Sequence, residues 1–188
     1  MSKDIDDILE RIVNEIKISL KDISEIKTSR FVKEILTSKK VFVTGQGRSG
    51  LIAESFAMRL MQMGIKTYHI GDSTTPAISK NDLLVAISGS GKTEITNMII
   101  KEADKAKAKV ILITNKKTTK EKKRIRNTDL IIEINAKAKT DKKKKSIEPL
   151  GTLFEQASLV YLDAVIVLLM ERQNVKEKDL GKRHANLE

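Results

Sequence analysis

The chain contains no cysteine and only two histidines, His69 and His184. Without cysteine there is no disulfide, no thiolate nucleophile and no thiolate metal site, and a reducing cytoplasm is the expected location. With so few histidines, acid–base work falls mainly to carboxylates. Aromatic residues make up only 3% of the chain. Phe31, Phe42, Phe56, Tyr68, Phe154 and Tyr161 all sit within apolar patterns, where core packing accounts for them. The aromatic platforms used to bind single-stranded nucleic acid are therefore missing. This matters because the formal charge is +11, with basic residues concentrated at 116–126 and 137–145. Those runs are read as a solvated lysine-rich surface, and nucleic acid is not expected as a partner. Long hydrophobic runs are also absent. The longest, at 159–170, is interrupted by Asp163 and is too short to cross a bilayer, so no membrane association is expected. The first ten residues are charged and amphipathic, unlike a signal peptide.

A chain of 188 residues suits one domain with a full core. Residues 1–38 repeat apolar positions at helical spacing (Ile5, Ile8, Leu9, Ile12, Val13, Ile16, then Leu20, Ile23, Ile26). This predicts one or two amphipathic helices, with a further short helix at 31–36. From 39 to 172, short apolar runs alternate with helical patterns. Strands are expected at 41–44, 67–70, 83–88, 110–114 and 130–134, with helices at 50–63, 94–107 and 120–126. Such alternation predicts an α/β three-layer sandwich, a five-stranded parallel sheet flanked by helices in the flavodoxin-like manner. Residues 136–146 read as a mobile lysine-rich loop. Pro149 and Gly151 then precede a strong helix at 152–172, for which Thr152 and Glu155 have the spacing of a capping box. That helix is apolar almost all round, which points to burial on several sides and hence to a homo-oligomer. Residues 173–188 form a short charged helix and a polar tail.

Two loops of similar composition follow predicted strands. One is Gly45-Gln46-Gly47-Arg48-Ser49-Gly50, and the other is Ser88-Gly89-Ser90-Gly91-Lys92-Thr93, continuing into Glu94. In an open parallel sheet, ligands bind beyond the C-terminal strand ends, where both loops fall. A glycine-rich turn opening a helix presents backbone N–H groups and a positive dipole end, which suits a phosphate. Ser49, Ser88, Ser90 and Thr93 are candidate hydroxyl donors, and the amides of Gly89, Ser90, Gly91, Lys92, Thr93 and Glu94 would complete the cradle. Turn and cap chemistry alone also explains these residues, Thr93 being a ready N-cap. Arg48 is a candidate for a phosphate or sugar hydroxyl, with a surface ion pair equally compatible. His69 closes an apolar strand and reads as a packed structural histidine. Thr74-Thr75-Pro76 either lines the pocket or starts a short helix with Pro76 in its first turn.

Taken with Phe56-Ala57-Met58-Arg59-Leu60-Met61, Pro149-Leu150-Gly151-Thr152-Leu153-Phe154-Glu155-Gln156 and the tail Arg183-His184-Ala185-Asn186-Leu187-Glu188, the two loops resemble the sugar isomerase (SIS) domain family, within it the 6-phospho-3-hexuloisomerases. Five separated motifs agree in order from residue 41 to 188. The resemblance implies an enzyme that interconverts 3-hexulose 6-phosphate and fructose 6-phosphate through an enediol, in formaldehyde fixation by the ribulose monophosphate pathway or in reverse. It implies a small-molecule sugar phosphate as substrate, a homotetramer, and neither cofactor nor metal. Glu155 matches the family's proton acceptor, although spacing alone favours the helix cap. His184 matches the family's tail histidine, which opens a cyclic sugar or moves protons between oxygens. Lys92 occupies a variable place in the phosphate loop, and the lysine run at 142–145 receives no role. The rival readings are a same-fold isomerase acting on another sugar phosphate and a non-catalytic phosphosugar sensor. The sensor would not need Glu155.

Overall fold

The computed structural model describes residues 4–115, 127–137, 139 and 146–186. The helix expected at 120–126, the lysine run at 142–145 and part of the loop at 136–146 lie outside the described residues. Two N-terminal helices, α1 (Ile5–Leu20) and α2 (Glu25–Thr37), precede the alternating core. The core runs β1 (Val41–Gly45), α3 (Arg48–Gln62), β2 (Thr67–His69), β3 (Leu83–Ile87), α4 (Glu94–Lys105), β4 (Lys109–Asn115), β5 (Leu130–Ile134) and α5 (Thr152–Gln173), and α6 (Glu177–Gly181) ends it. The short helix expected at 31–36 is instead the second half of α2. Ser24 starts that helix by accepting a bond from the Lys27 amide at 3.3 Å, and Phe31, Val32 and Ile35 continue its buried face. No helix begins at Pro76, where the chain is irregular through residue 79.

All five strands are parallel, in the order β2-β1-β3-β4-β5. Every residue of β1 and β3 is buried, as expected for strands covered on both faces. Alternate side chains feed two cores. Val41, Val43, Leu83, Val85, Ile111 and Ile113 join α2, α3 and α5 on one face. Phe42, Leu84, Ala86, Val110 and Leu112 meet Ile100 and Ala103 of α4 on the other. The expected three layers are therefore present. The strand order reverses its direction of growth between β1 and β3, whose register pairs Gly45 with Ile87. A crevice opens at such a reversal, because the following helices leave toward opposite faces.

The helix α5 lies in the larger core against α1, α2 and α3. Over its 22 residues it is long and apolar enough to cross a membrane by length and composition, which the shorter run at 159–170 did not suggest. Half of that stretch is buried within the fold. Leu162, Val165 and Leu169 face inward, while Val160, Val167 and Leu168 remain at the surface.

Candidate active site

The crevice between β1 and β3 is built from three helix N-termini, those of α3, α4 and α5. None of the three receives a side-chain cap hydrogen bond. Gly45 ends β1 where α3 turns back over it. A Cβ at Gly45 would lie 2.5 Å from the Ser49 carbonyl oxygen, so only glycine permits this close crossing. Gly47 then takes φ +60° and releases the chain into α3, with Arg48 and Ser49 in the first turn.

The second loop is held from several sides. Thr114 Oγ1 donates to the Ser88 carbonyl at 2.7 Å, and Asn97 Nδ2 donates to the Gly91 carbonyl at 3.3 Å. Gly91 turns with φ +60°. Ser88 and Thr93 hydroxyls lie 3.3 Å apart, and Ser90 Oγ accepts from the Lys92 amide at 3.2 Å. Thr93 occupies the N-cap position of α4 without using its hydroxyl as a cap. The first-turn amides of α4 are left for solvent or an anion. Sequence reasoning missed Thr114 and Asn97, whose roles depend on strand and helix neighbours distant in the chain. Gly89 differs from the expectation too. Its φ is not positive, and what it supplies is space: a Cβ there would lie 2.8 Å from the Phe154 ring. The loop is thereby packed onto the first turn of α5.

The residue after Phe154 is Glu155. Its backbone amide donates to Gly151 at 3.1 Å, while its side chain forms an ion pair with Arg48 Nε. The capping-box reading of Thr152 and Glu155 is therefore corrected. Gly151 is the N-cap, Thr152 Oγ1 donates to the Pro149 carbonyl at 2.8 Å, and the Glu155 carboxylate is spent across the crevice. The Glu155 side chain is 18% exposed and that of Arg48 59%, so the pair sits at the mouth with the carboxylate inside. Both alternatives for Arg48 thus remain compatible: it is an ion pair here, and it lies where a substrate anion would enter.

A second carboxyl, Glu148, was not singled out by the sequence. It is buried beside Gln156, and its proton affinity is raised, first by burial and then by the charge of Glu15. Its place next to the Pro149 motif was the only signal available.

Ser49, Lys92 and Glu94 fall on the expected loops, Lys92 and Glu94 being exposed. His184 is not brought to the crevice. It is exposed in the tail, where Arg183 Nη1 donates to the Gln62 carbonyl at 3.2 Å, at the far end of α3. The helix separates it from Arg48 by about 21 Å at 1.5 Å rise per residue. His69 is a packed residue as expected, with Nδ1 at 3.3 Å from Asp72 and Nε2 at 3.6 Å from Glu54. Among the described residues no group of three or more His, Asp or Glu side chains could hold a metal ion.

The class this architecture defines is an open parallel α/β domain with a hydroxyl-rich loop, an arginine and a carboxylate at its strand-order reversal. Residues 34–168 match the SIS domain model, and the chain belongs to that family. It is 39% identical over 161 residues to a 3-hexulose-6-phosphate isomerase of Methanocaldococcus jannaschii, covering 86% of this chain and 84% of that one. It is 38% identical to a 3-hexulose-6-phosphate isomerase of Bacillus subtilis, covering 94% and 95%. A crystal structure of a hypothetical protein from Methanococcus jannaschii, described as inferring the function of a 3-hexulose-6-phosphate isomerase, superposes with a TM-score of 0.82 at 36% identity, covering 96% of this chain and 99% of that one.

The contact of Gly89 with Phe154 generates a direct test. Gly89→Ala should lower stability by about 1–3 kcal/mol, the usual range for overpacking. Adding Phe154→Leu should recover part of that loss, giving a coupling measurable by a chemical-denaturation double-mutant cycle. Additive effects would show that the two residues do not share this space.

Proposed function

We propose that this protein is a sugar-phosphate isomerase that interconverts 3-hexulose 6-phosphate and fructose 6-phosphate. The observation that carries the reading is the convergence of the Glu155 carboxylate with the Ser88–Thr93 loop at one strand-end crevice. Relatives named for this reaction, at 38–39% identity across most of both chains, support it. In this reading the phosphate rests on Ser49, Ser88, Ser90, Thr93 and the first amides of α4. Glu155 removes the proton from C2, the electron pair forms the C2–C3 double bond, and the C3 oxygen becomes the enediolate oxyanion. After a proton passes from the C2 oxygen to the C3 oxygen, Glu155 returns its proton to C3 and the carbonyl stands at C2. Arg48 supplies positive charge at the mouth, where the phosphate or the enediolate develops its charge. The enzyme acts in the cytoplasm, and no step requires a redox cofactor or a metal.

The separation of His184 from Glu155 bears on assembly. We infer that His184 serves the crevice of a neighbouring subunit in a homo-oligomer, a tetramer by family resemblance. The surface of the subunit suits this. Val160, Val167 and Leu168 on α5 and Leu51, Met58 and Met61 on α3 are all exposed. Val160 and Leu168 line an apolar groove of about 520 Å³ with Leu20, Ile23 and Tyr161. Apolar patches of this kind on a small domain mark contact surfaces.

Three outcomes are expected. Glu155→Gln should lower turnover by at least roughly a hundredfold, the scale of a general base, and abolish exchange of the substrate's carbon-bound proton with deuterated water. Its affinity for sugar phosphate should stay near wild type, whereas Ser90→Ala should lose about 1.5–3 kcal/mol of binding by calorimetry. Assays run with EDTA present should match those without it. Wild-type protein that binds sugar phosphate yet exchanges no proton would mark a sensor instead.

Mixing Glu155→Gln with His184→Ala chains under exchange conditions should restore turnover above either parent, since some sites then carry both native residues. No recovery would place His184 outside the neighbouring site.

Val167, being 54% exposed in the single chain, allows a clean assembly test. Val167→Glu should reduce the mass seen by light scattering toward the 21.1 kDa subunit while circular dichroism stays native. A wild-type monomer at micromolar concentration would refute the oligomer.

A further inference from the structure

The helix that carries Arg48 in its first turn ends at Gln62, at the far side from the crevice. It closes in a tight turn. The Gly64 amide donates to the Met61 carbonyl at 2.8 Å and the Ile65 amide to the Leu60 carbonyl at 3.0 Å, with Gly64 at φ +86°. A closure of this kind satisfies some terminal carbonyls and leaves others to partners outside the helix. The Gln62 carbonyl finds its donor at the other end of the chain. Arg183 Nη1 donates to it at 3.2 Å and also donates to the Asp179 carbonyl at 3.4 Å. A cation is favoured at this position, because the C-terminal end of a helix carries partial negative charge. The contact is close. A Cβ at Gly64 would lie 3.2 Å from Arg183 Cζ and 3.3 Å from Nη2, so a side chain there would push the guanidinium away.

The segment bearing this arginine is short. Helix α6 spans five residues, and its Leu180 packs against the larger core. Beyond it the chain continues in single turns. The Arg183 amide donates to the Leu180 carbonyl at 3.0 Å, and the His184 amide donates to the Gly181 carbonyl at 3.2 Å. His184 stands exposed at the end of this run. Its ring has a defined tautomer, since Nδ1 lies 3.0 Å from the Ala185 carbonyl oxygen. A carbonyl only accepts, so Nδ1 carries the hydrogen, and Nε2 holds the lone pair that takes a proton.

We propose that Arg183 is a positioning residue, a latch that fixes the tail to the C-terminus of α3 and so sets where His184 leaves the subunit. A helix of five residues does not hold its shape in water by itself, and a free tail spreads its histidine over many positions. Only a fraction of those positions meets a neighbouring crevice, and activity falls with that fraction. The latch removes this loss by tying the residue before His184 to a rigid helix end. Helix α3 then serves two sites. Its first turn carries Arg48 for the crevice of its own subunit, and its last carbonyls orient the histidine for the next. Arg183 touches neither substrate nor reacting atoms and acts only through His184. The proposal rests on the reading of His184 as serving a neighbouring crevice, but its first test does not.

The chain has only two histidines, so labelling the ring Cε1 with ¹³C gives two resonances, and His69 is an internal control. In the full-length Arg183→Ala protein the His184 resonance should narrow and move toward its position in a free peptide, while that of His69 stays in place. Turnover should fall roughly tenfold with KM little changed, the pattern of an interaction that matters after substrate is bound. Tm should stay close to wild type, because Arg183 is exposed. Arg183→Lys keeps a donor and a positive charge and should recover part of both the turnover and the His184 signal. In a His184→Ala background, Arg183→Ala should cause no further loss. An unchanged His184 resonance in Arg183→Ala would overturn the proposal. So would a released His184 with wild-type turnover, or a further loss in the His184→Ala background. A fall in Tm together with a displaced His69 resonance would mark Arg183 as merely structural and overturn it too. If His184→Ala itself keeps wild-type turnover, the assignment of His184 to a neighbouring crevice fails, and the His184 resonance in Arg183→Ala still decides whether Arg183 latches the tail.

Discussion

Phe154 fills the space where Gly89 has no side chain, and the organisation of the crevice depends on that contact. A strand-to-helix loop is soft by itself. Here the ring of an α5 residue lies against it, and α5 is anchored in the largest core of the molecule by Leu162, Val165 and Leu169. The loop thereby gains a rigid floor. The helix also gains a fixed rotation, because Phe154 can face the loop in only one orientation. Glu155, one residue on, is then turned roughly 100° around the helix axis, toward Arg48. Packing of an apolar ring thus sets the direction of a carboxylate.

Electrostatics complete what packing begins. Three helix N-termini without side-chain caps meet at the strand-order reversal, and their partial positive charges add to that of Arg48. Such a place favours anions, and the Glu155 carboxylate already lies in it, paired with Arg48. The result is a crevice whose own carboxylate is paired with the arginine at its mouth. Among the described residues, the cation paired with the crevice carboxylate is Arg48 of α3.

Much of the fold was legible because its elements depend on local pattern. The runs at 83–87 and 110–113 are continuous apolar stretches of strand length, and they read as strands buried on both faces. Both loops were legible as well, since glycine and serine after such a strand have few other uses. The expectation of a separate helix at 31–36 failed because the Ser24 cap lies seven residues upstream, beyond the window that Phe31, Val32 and Ile35 define. The reading of Glu155 was the harder case. Spacing made it a capping residue of Thr152, and the geometry of Gly151 and Pro149 removed that role. Glu148 carried no pattern at all. Its surroundings are set in part by Glu15, more than a hundred residues earlier in the chain.

The sequence by itself determined the period of each element, the places where glycine was needed and the supply of hydroxyls and carboxylates. These follow from backbone sterics, side-chain chemistry and the burial of apolar periodic faces, all of which act within a few residues. Only the tertiary structure decided that β1 and β3 are neighbours, that Gly89 serves packing, that Arg48 meets Glu155, and that His184 lies at the opposite end of α3. Each of these depends on contacts between residues far apart in the chain, and nothing in local propensity encodes which distant partner will fill a given space.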